Sequence, residues 1–128
     1  MNIRKMEKAV VAALEDIKGR DILVLKVAHL SPLFERIIIA SADSTRQVKA
    51  LADNVQEKLK ALGAQVLSVE GQQSGEWVLV DLGAIVVHVM QPTIRRYYNL
   101  EELWNQPEVR PKRTRARKKA ADSQPAAG

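Results

Sequence analysis

An α/β domain built on one mixed sheet of about five strands is the fold class the sequence predicts, in the order α-β-β-α-β-β-β-α. Three observations predict it. Two segments repeat apolar residues every three to four positions, five short β-branched runs are bounded by turn residues, and 128 residues suit a single domain with a tail. Strand, amphipathic helix and strand in succession also make a βαβ-like crossover, which implies parallel strands in the sheet.

Residues 4–18 place Met6, Val10, Ala13, Leu14 and Ile17 on one stripe, with Lys5, Lys8, Glu15 and Lys18 largely off it. This spacing predicts an amphipathic helix closed by Gly19. DILVLKVA (21–28) and FERIIIAS (34–41) read as strands flanking a His29-Leu30-Ser31-Pro32 turn. Asp43 and Ser44 then offer N-cap oxygens, and Gln47 stands three residues after Ser44 as in a capping box. Val48, Leu51, Ala52, Val55, Leu59 and Leu62 continue as an apolar stripe that ends at Gly63, so a helix is expected over 44–62. AQVLSVE (64–70), EWVLVDL (76–82) and IVVHVMQ (85–91) follow as strands, the last two joined as a hairpin through Gly83-Ala84. IVVHV is apolar on both faces, as an interior strand would be. Pro92 opens a short helix, and a further turn or helix covers 99–106.

The balance of 46% hydrophobic and 27% charged residues is that of an ordinary globular chain. No apolar run reaches the roughly 18 residues needed to cross a bilayer, and the N-terminus has no secretory apolar block, so a soluble, unexported protein with no membrane association is expected. The absence of cysteine removes disulfides, thiolate metal sites and cysteine nucleophiles together. The formal charge of +5 is unevenly placed: residues 1–107 carry 13 basic and 13 acidic side chains, and residues 108–128 carry 7 and 2, recovering the totals of 20 and 15. A neutral folded domain at 1–107 is therefore expected to precede a basic, disordered tail at 108–128. Two readings of that tail stay open, a solvated extension or a segment making weak, sequence-blind contact with RNA through its 110–119 run, and a general RNA-binding module acting through it is one rival function.

Reactive constellations are scarce. His29 sits in a turn without metal-ligand spacing, and His88 sits inside an apolar strand beside Val86 and Met90. Two readings of His88 stay open: a packed, hydrogen-bonded core imidazole, or a ring whose tip reaches the surface near Asp81 on the paired strand. Neither GxGxxG, GxxxxGK[ST] nor GxSxG occurs, which leaves nucleotide cradles and seryl hydrolases without support. Ser41-Ala42-Asp43-Ser44 before a helix could meet an anion, but no Asp-x-Asp pair follows to hold Mg²⁺ for phosphoryl transfer. A non-enzyme with no cofactor and no metal is expected; the rival is a small nucleotidyl- or phosphotransferase using the Ser44 loop.

Aromatic residues are concentrated instead. Tyr97, Tyr98 and Trp104 fall in RRYYNLEELW (95–104) among Arg95, Arg96, Glu101 and Glu102, and Trp77 lies on the hairpin. Tyr, Trp and Arg dominate binding hot spots, which points to an interface. The alternative is that Tyr98, Leu100, Leu103 and Trp104 dock the terminal helix on the sheet, and one face can dock while another is presented.

Ser44, Val48, Ala52, Asp53, Val55 and Leu59 along the central helix, then VEGxxxGEWVLVDLG (69–83), VVHVM (86–90) and RRYYNLEELW (95–104), follow one another in an order that resembles the ribosomal silencing factor, or Iojap-like, family over residues 4–105. The resemblance implies a nucleotidyltransferase-like fold without catalytic carboxylates. It implies a cytoplasmic, non-catalytic protein that binds the large ribosomal subunit through ribosomal protein L-fourteen, blocks association with the small subunit and represses translation when nutrients are low. It leaves open a homodimer of the free protein. Carried over, the partner-binding residues are Trp77, Asp81, His88, Arg95, Tyr98 and Glu101. Trp77 and Tyr98 would be aromatic anchors, Asp81 and Glu101 charges complementary to a basic ribosomal surface, and Arg95 a group positioning its segment. The chain departs from the family pattern at Glu35, where Asp is usual, at Ser41-Ala42-Asp43-Ser44 in place of Thr-Gly-Thr-Ser, and at Ala84, where a carboxylate is usual.

Overall fold

The elements α1 (Ile3–Asp16), β1 (Arg20–Lys26), β2 (Arg36–Ser41), α2 (Thr45–Ala61), β3 (Ser68–Glu70), β4 (Trp77–Asp81), β5 (Ile85–Met90), α3 (Pro92–Tyr98) and α4 (Leu100–Trp104) follow one another in the computed structural model, which describes residues 1–104. The expected basic tail at 108–128 and the domain end at 107 lie outside the described residues. The order matches the sequence reading, with the C-terminal helix divided at Asn99. Asn99 adopts a left-handed conformation (φ 47°), which ends α3 and lets α4 start at an angle to it.

The five strands form one sheet in the order β1-β2-β5-β4-β3. β2 and β5 run parallel, and every other neighbouring pair is antiparallel. The crossover through α2 therefore does not join adjacent strands: it carries the chain from β2 past two strand positions to the far edge, and the hairpin β4-β5 fills the gap afterwards. β5 lies in the centre, and all six of its residues are buried. β3 is shorter than expected. Of residues 64–70, only Ser68–Glu70 pair with β4, because this edge strand has one neighbour and Ala64 and Val66 turn toward the core between sheet and helices instead.

Helix ends follow local chemistry. Ser44 Oγ accepts from Gln47 N–H at 3.1 Å, and the Gln47 side-chain Oε1 accepts from Asp43 N–H at 2.9 Å, a capping exchange displaced by one residue. Asp43 is not a cap: its carboxylate pairs with Arg20. Both long helices end in a Schellman turn, closed by Gly19 N–H to Leu14 C=O at 2.8 Å and by Ala64 N–H to Leu59 C=O at 2.9 Å. In α2 the left-handed position is Gly63, whereas in α1 it is Lys18 (φ 62°), with Gly19 one residue beyond. Gly19 is still needed there, since a Cβ would approach Leu14 O to 3.0 Å and Leu51 to 3.3 Å.

α1 and α2 pack side by side on one face of the sheet. Met6, Val10 and Leu14 of α1 and Val48, Leu51, Val55 and Leu59 of α2 enclose Ile38, Ala40, Val78, Val80, Val87 and Val89. Two side chains pin the pair: Asn54 donates to Ala13 C=O at 2.7 Å, and the Gln47 amide donates to the Ile17 and Lys18 carbonyls at 3.2 and 3.1 Å. The opposite face holds a second cluster of Leu25, Val27, Ile37, Ile39 and Met90, covered only in part by Ile94, Leu100 and Trp104 from the C-terminal helices. No helix among the described residues is long and apolar enough to cross a membrane.

Candidate functional site

The partly covered face carries the sequence-predicted residues. Alternation along the strands puts Trp77, Leu79 and Asp81 of β4 beside Val86, His88 and Met90 of β5 and Ile37, Ile39 and Ser41 of β2. Trp77 is half-buried, and its Nε1–H donates to His88 Nδ1 at 2.9 Å. The Trp77 ring meets Tyr98 at a centroid distance of 4.9 Å, and Tyr98 meets Tyr97 edge-on at 5.0 Å. The three rings thus step from the sheet into solvent: Tyr98 is 52% exposed and Tyr97 80%. The ridge is an apolar, aromatic projection of the kind that anchors protein interfaces.

His88 is a buried, hydrogen-bonded imidazole. Burial among apolar strands penalises the cation and lowers its pKa from 6.5 to about 4, so the ring is neutral near pH 7. Leu79 lies directly opposite His88 and Asp81 one pair further along the same face, and His88 and Asp81 line one groove. Asp81 is partly engaged in the hairpin turn, where its Oδ1 accepts from Gly83 N–H at 2.8 Å.

Arg95 and Glu101 are brought together rather than presented singly. Arg95 Nε donates to Glu101 Oε2 at 3.1 Å, and its Nη1 donates to Ser41 Oγ at 2.7 Å, tying α3 and α4 to the end of β2. The expectation of Glu101 as a charge offered to a partner meets this pairing: one oxygen is held by Arg95, and the other is buried without a partner among the described residues. Of the terminal residues weighed for docking, Leu100 and Trp104 pack on the sheet, whereas Tyr98 and Leu103 remain exposed.

The Ser41–Ser44 loop has its groups committed. Ser41 accepts from Arg95, Asp43 binds Arg20, and Ser44 caps α2. Ala42 is fully buried, and the Ala84 carbonyl accepts from Glu35 and Arg36 N–H at 2.7 and 3.1 Å, a backbone role that no side chain at 84 is needed to fill. Among the described residues no group of three His, Asp or Glu side chains could hold a metal ion.

Sequence reasoning missed a groove of about 540 Å³ between α4 and the β3 edge. Ile37, Leu79, Val86 and His88 line it together with Leu33, Phe34, Trp104 and Leu67, and the carboxyl-bearing Glu70 and Asp81 lie along it. Phe34 packs edge-on against Trp104 at 5.5 Å. One signal was present in Leu33, a large apolar residue beside the Pro32 turn that is 79% exposed; Leu67, 56% exposed, stood in a predicted strand and gave none. The Gly71–Gly75 turn before β4 is equally specific. Both glycines have positive φ, and a Cβ would collide with the Trp77 carbonyl at position 71 and with Thr45 at position 75.

The sequence model of the family described as ribosomal silencing factor during starvation matches residues 1–128. A ribosomal silencing factor of Chromobacterium violaceum is 55% identical over 104 residues, covering 81% of this chain and 85% of that protein. A more distant mouse protein, named mitochondrial assembly of ribosomal large subunit protein 1, is 32% identical over 97 residues, covering 73% of this chain and 42% of its own length. The crystal structure of a Chromobacterium violaceum protein superposes with a TM-score of 0.81 at 52% identity, covering 86% of this chain and 92% of that one.

Proposed function

This chain belongs to the ribosomal silencing factor family, and we propose that it binds the large ribosomal subunit through ribosomal protein L-fourteen, blocks entry of the small subunit and thereby represses translation. The mechanism is occlusion. A rigid domain covers a patch on one subunit protein and occupies volume that the other subunit must enter, so no bond chemistry is required.

The observation that carries this reading is the Trp77–Tyr98–Tyr97 ridge on the sheet face that α1 and α2 leave uncovered. Its base is fixed by the Trp77–His88 hydrogen bond and by the Arg95–Ser41 and Arg95–Glu101 contacts, so little conformational freedom is lost on docking. Trp77 and Tyr98 are the proposed anchors, with Asp81 at the hairpin end of the same face supplying charge. His88, Arg95 and Glu101 hold the surface in shape from beneath. The name of the mouse relative refers to assembly of the large ribosomal subunit, which agrees with that subunit as the target.

A subunit-joining assay on sucrose gradients tests the proposal. The purified chain is expected to hold large subunits apart from small ones in proportion to its concentration, and a chain lacking residues 108–128 is expected to do the same. Normal joining in the presence of saturating protein would overturn the proposal. Loss of blocking on removal of 108–128 alone would shift the activity to RNA contact by the basic segment.

A further inference from the structure

The groove beside α4 contains a hydrogen-bond donor whose identity is fixed by a neighbour. His88 Nδ1 accepts the indole proton of Trp77, and a neutral imidazole that accepts at Nδ1 carries its own proton at Nε2. Nε2 makes no hydrogen bond among the described residues, and His88, 8% exposed, is one of the residues lining the groove. Leu79, Val86 and Ile37 line the same groove, apolar side chains that cannot accept that proton. Among the described residues the lining also includes two carboxylates, Glu70 and Asp81, and no lysine or arginine. A segment that fills the groove therefore meets an apolar floor, one directed N–H and a negative rim.

We propose that His88 is a specificity-determining residue: its Nε2–H, directed by Trp77, donates to a main-chain carbonyl of an apolar, basic-flanked segment of the large-subunit protein that docks in this groove. The assignment rests on the reading of the chain as a large-subunit binder. Charge complementarity selects the occupant, since Glu70 and Asp81 favour lysine or arginine beside the apolar contact. The groove also adjoins the aromatic ridge through the Trp77–His88 pair, so a single partner can cover both. Trp77 then has two roles, giving a ring face to Tyr98 and setting the tautomer of His88.

The test replaces His88 by histidine methylated at Nε2, which keeps the Nδ1 acceptor for Trp77 and removes only the donor. Binding to isolated ribosomal protein L-fourteen and to large subunits is expected to weaken about tenfold, as for loss of a buried hydrogen bond plus a misfit methyl group. Long-range proton–nitrogen NMR of the unmodified chain is expected to find Nδ1 unprotonated and Nε2 protonated, with the Nε2–H signal shifting and exchanging more slowly once L-fourteen is added. Trp77→Phe should release Nδ1 and give a mixture of tautomers. A methylated chain that binds as tightly as the unmodified one, or a proton found on Nδ1, or an Nε2–H signal unmoved by the bound partner, would each overturn the assignment. If the methylated chain does not fold, the two NMR readings on the unmodified chain decide. Failure of the unmodified chain to bind either target would instead overturn the large-subunit reading, and the occupant with it.

Discussion

The two faces of the sheet use the same five strands and are finished differently. Against α1 and α2, the strands present Ile38, Ala40, Val78, Val80, Val87 and Val89, and no polar side chain is buried among them. On the other face, the short α3 and α4 cover only part of the surface, and the two buried polar residues of the described chain, Ser41 and His88, both lie there. Each has a specific partner, Arg95 for Ser41 and Trp77 for His88. The difference teaches that the first face is specified by volume and the second by paired polar contacts. A face held by few directed contacts can keep aromatic surface exposed without losing its shape.

If that division is right, damage on the first face should cost stability and leave intrinsic binding alone. Leu51→Ala removes a fully buried side chain of α2 and is expected to cost about 3 to 5 kcal/mol in denaturant unfolding, with unaltered large-subunit affinity of the molecules that remain folded. An affinity change beyond the loss of folded protein would blur the distinction between the faces.

Acid should find the second face first. The folded-state pKa of His88 is lowered to about 4 from 6.5, so the unfolded chain takes up the proton more readily. The contribution of a neutral His88 is complete above about pH 6.5 and falls as pH drops toward 4, by roughly 3 kcal/mol in full. Urea midpoints at pH 8, 5.5 and 4 check this, and His88→Gln should flatten the profile over that interval.

Tyr98→Ala addresses the exposed ridge directly. With Tyr98 52% exposed, stability should change by less than about 1 kcal/mol. Co-sedimentation with large subunits should weaken by about 2 kcal/mol, roughly thirtyfold, as for a hot-spot anchor. Unchanged co-sedimentation would remove the ridge from the binding surface. The smallest expected effect is Ser44→Ala, which loses the α2 cap for about 1 kcal/mol of stability and nothing in binding.

Much of this architecture is readable one residue at a time. The stripe from Val48 to Leu59, the Ser44 cap and the hairpin at Gly83-Ala84 depend on contacts within a few positions, so periodicity and turn chemistry reveal them. Strand β3 was overestimated because apolar alternation at 64–70 does not say how many neighbours a strand will have. Glu101, which reads as a charge offered to a partner, is instead bonded to Arg95 six residues away, and Arg95 is bonded in turn to Ser41, 54 residues from it. Nothing in local spacing indicates that closure.

The sequence by itself determined where the helices and most of the strands lie, where most of them stop, and that the net charge of +5 falls within residues 108–128. Those outcomes follow from backbone propensity, capping and the period of apolar residues, all local in range. Only the tertiary structure decided which face of β5 would be sealed. IVVHVM is apolar on both sides, and the identity of its covers depends on α2 crossing to the far edge while α3 and α4 return over the opposite face. His88 therefore became a neutral partner of Trp77 through packing between residues on separate strands, a contact whose energy exists only once the sheet has formed.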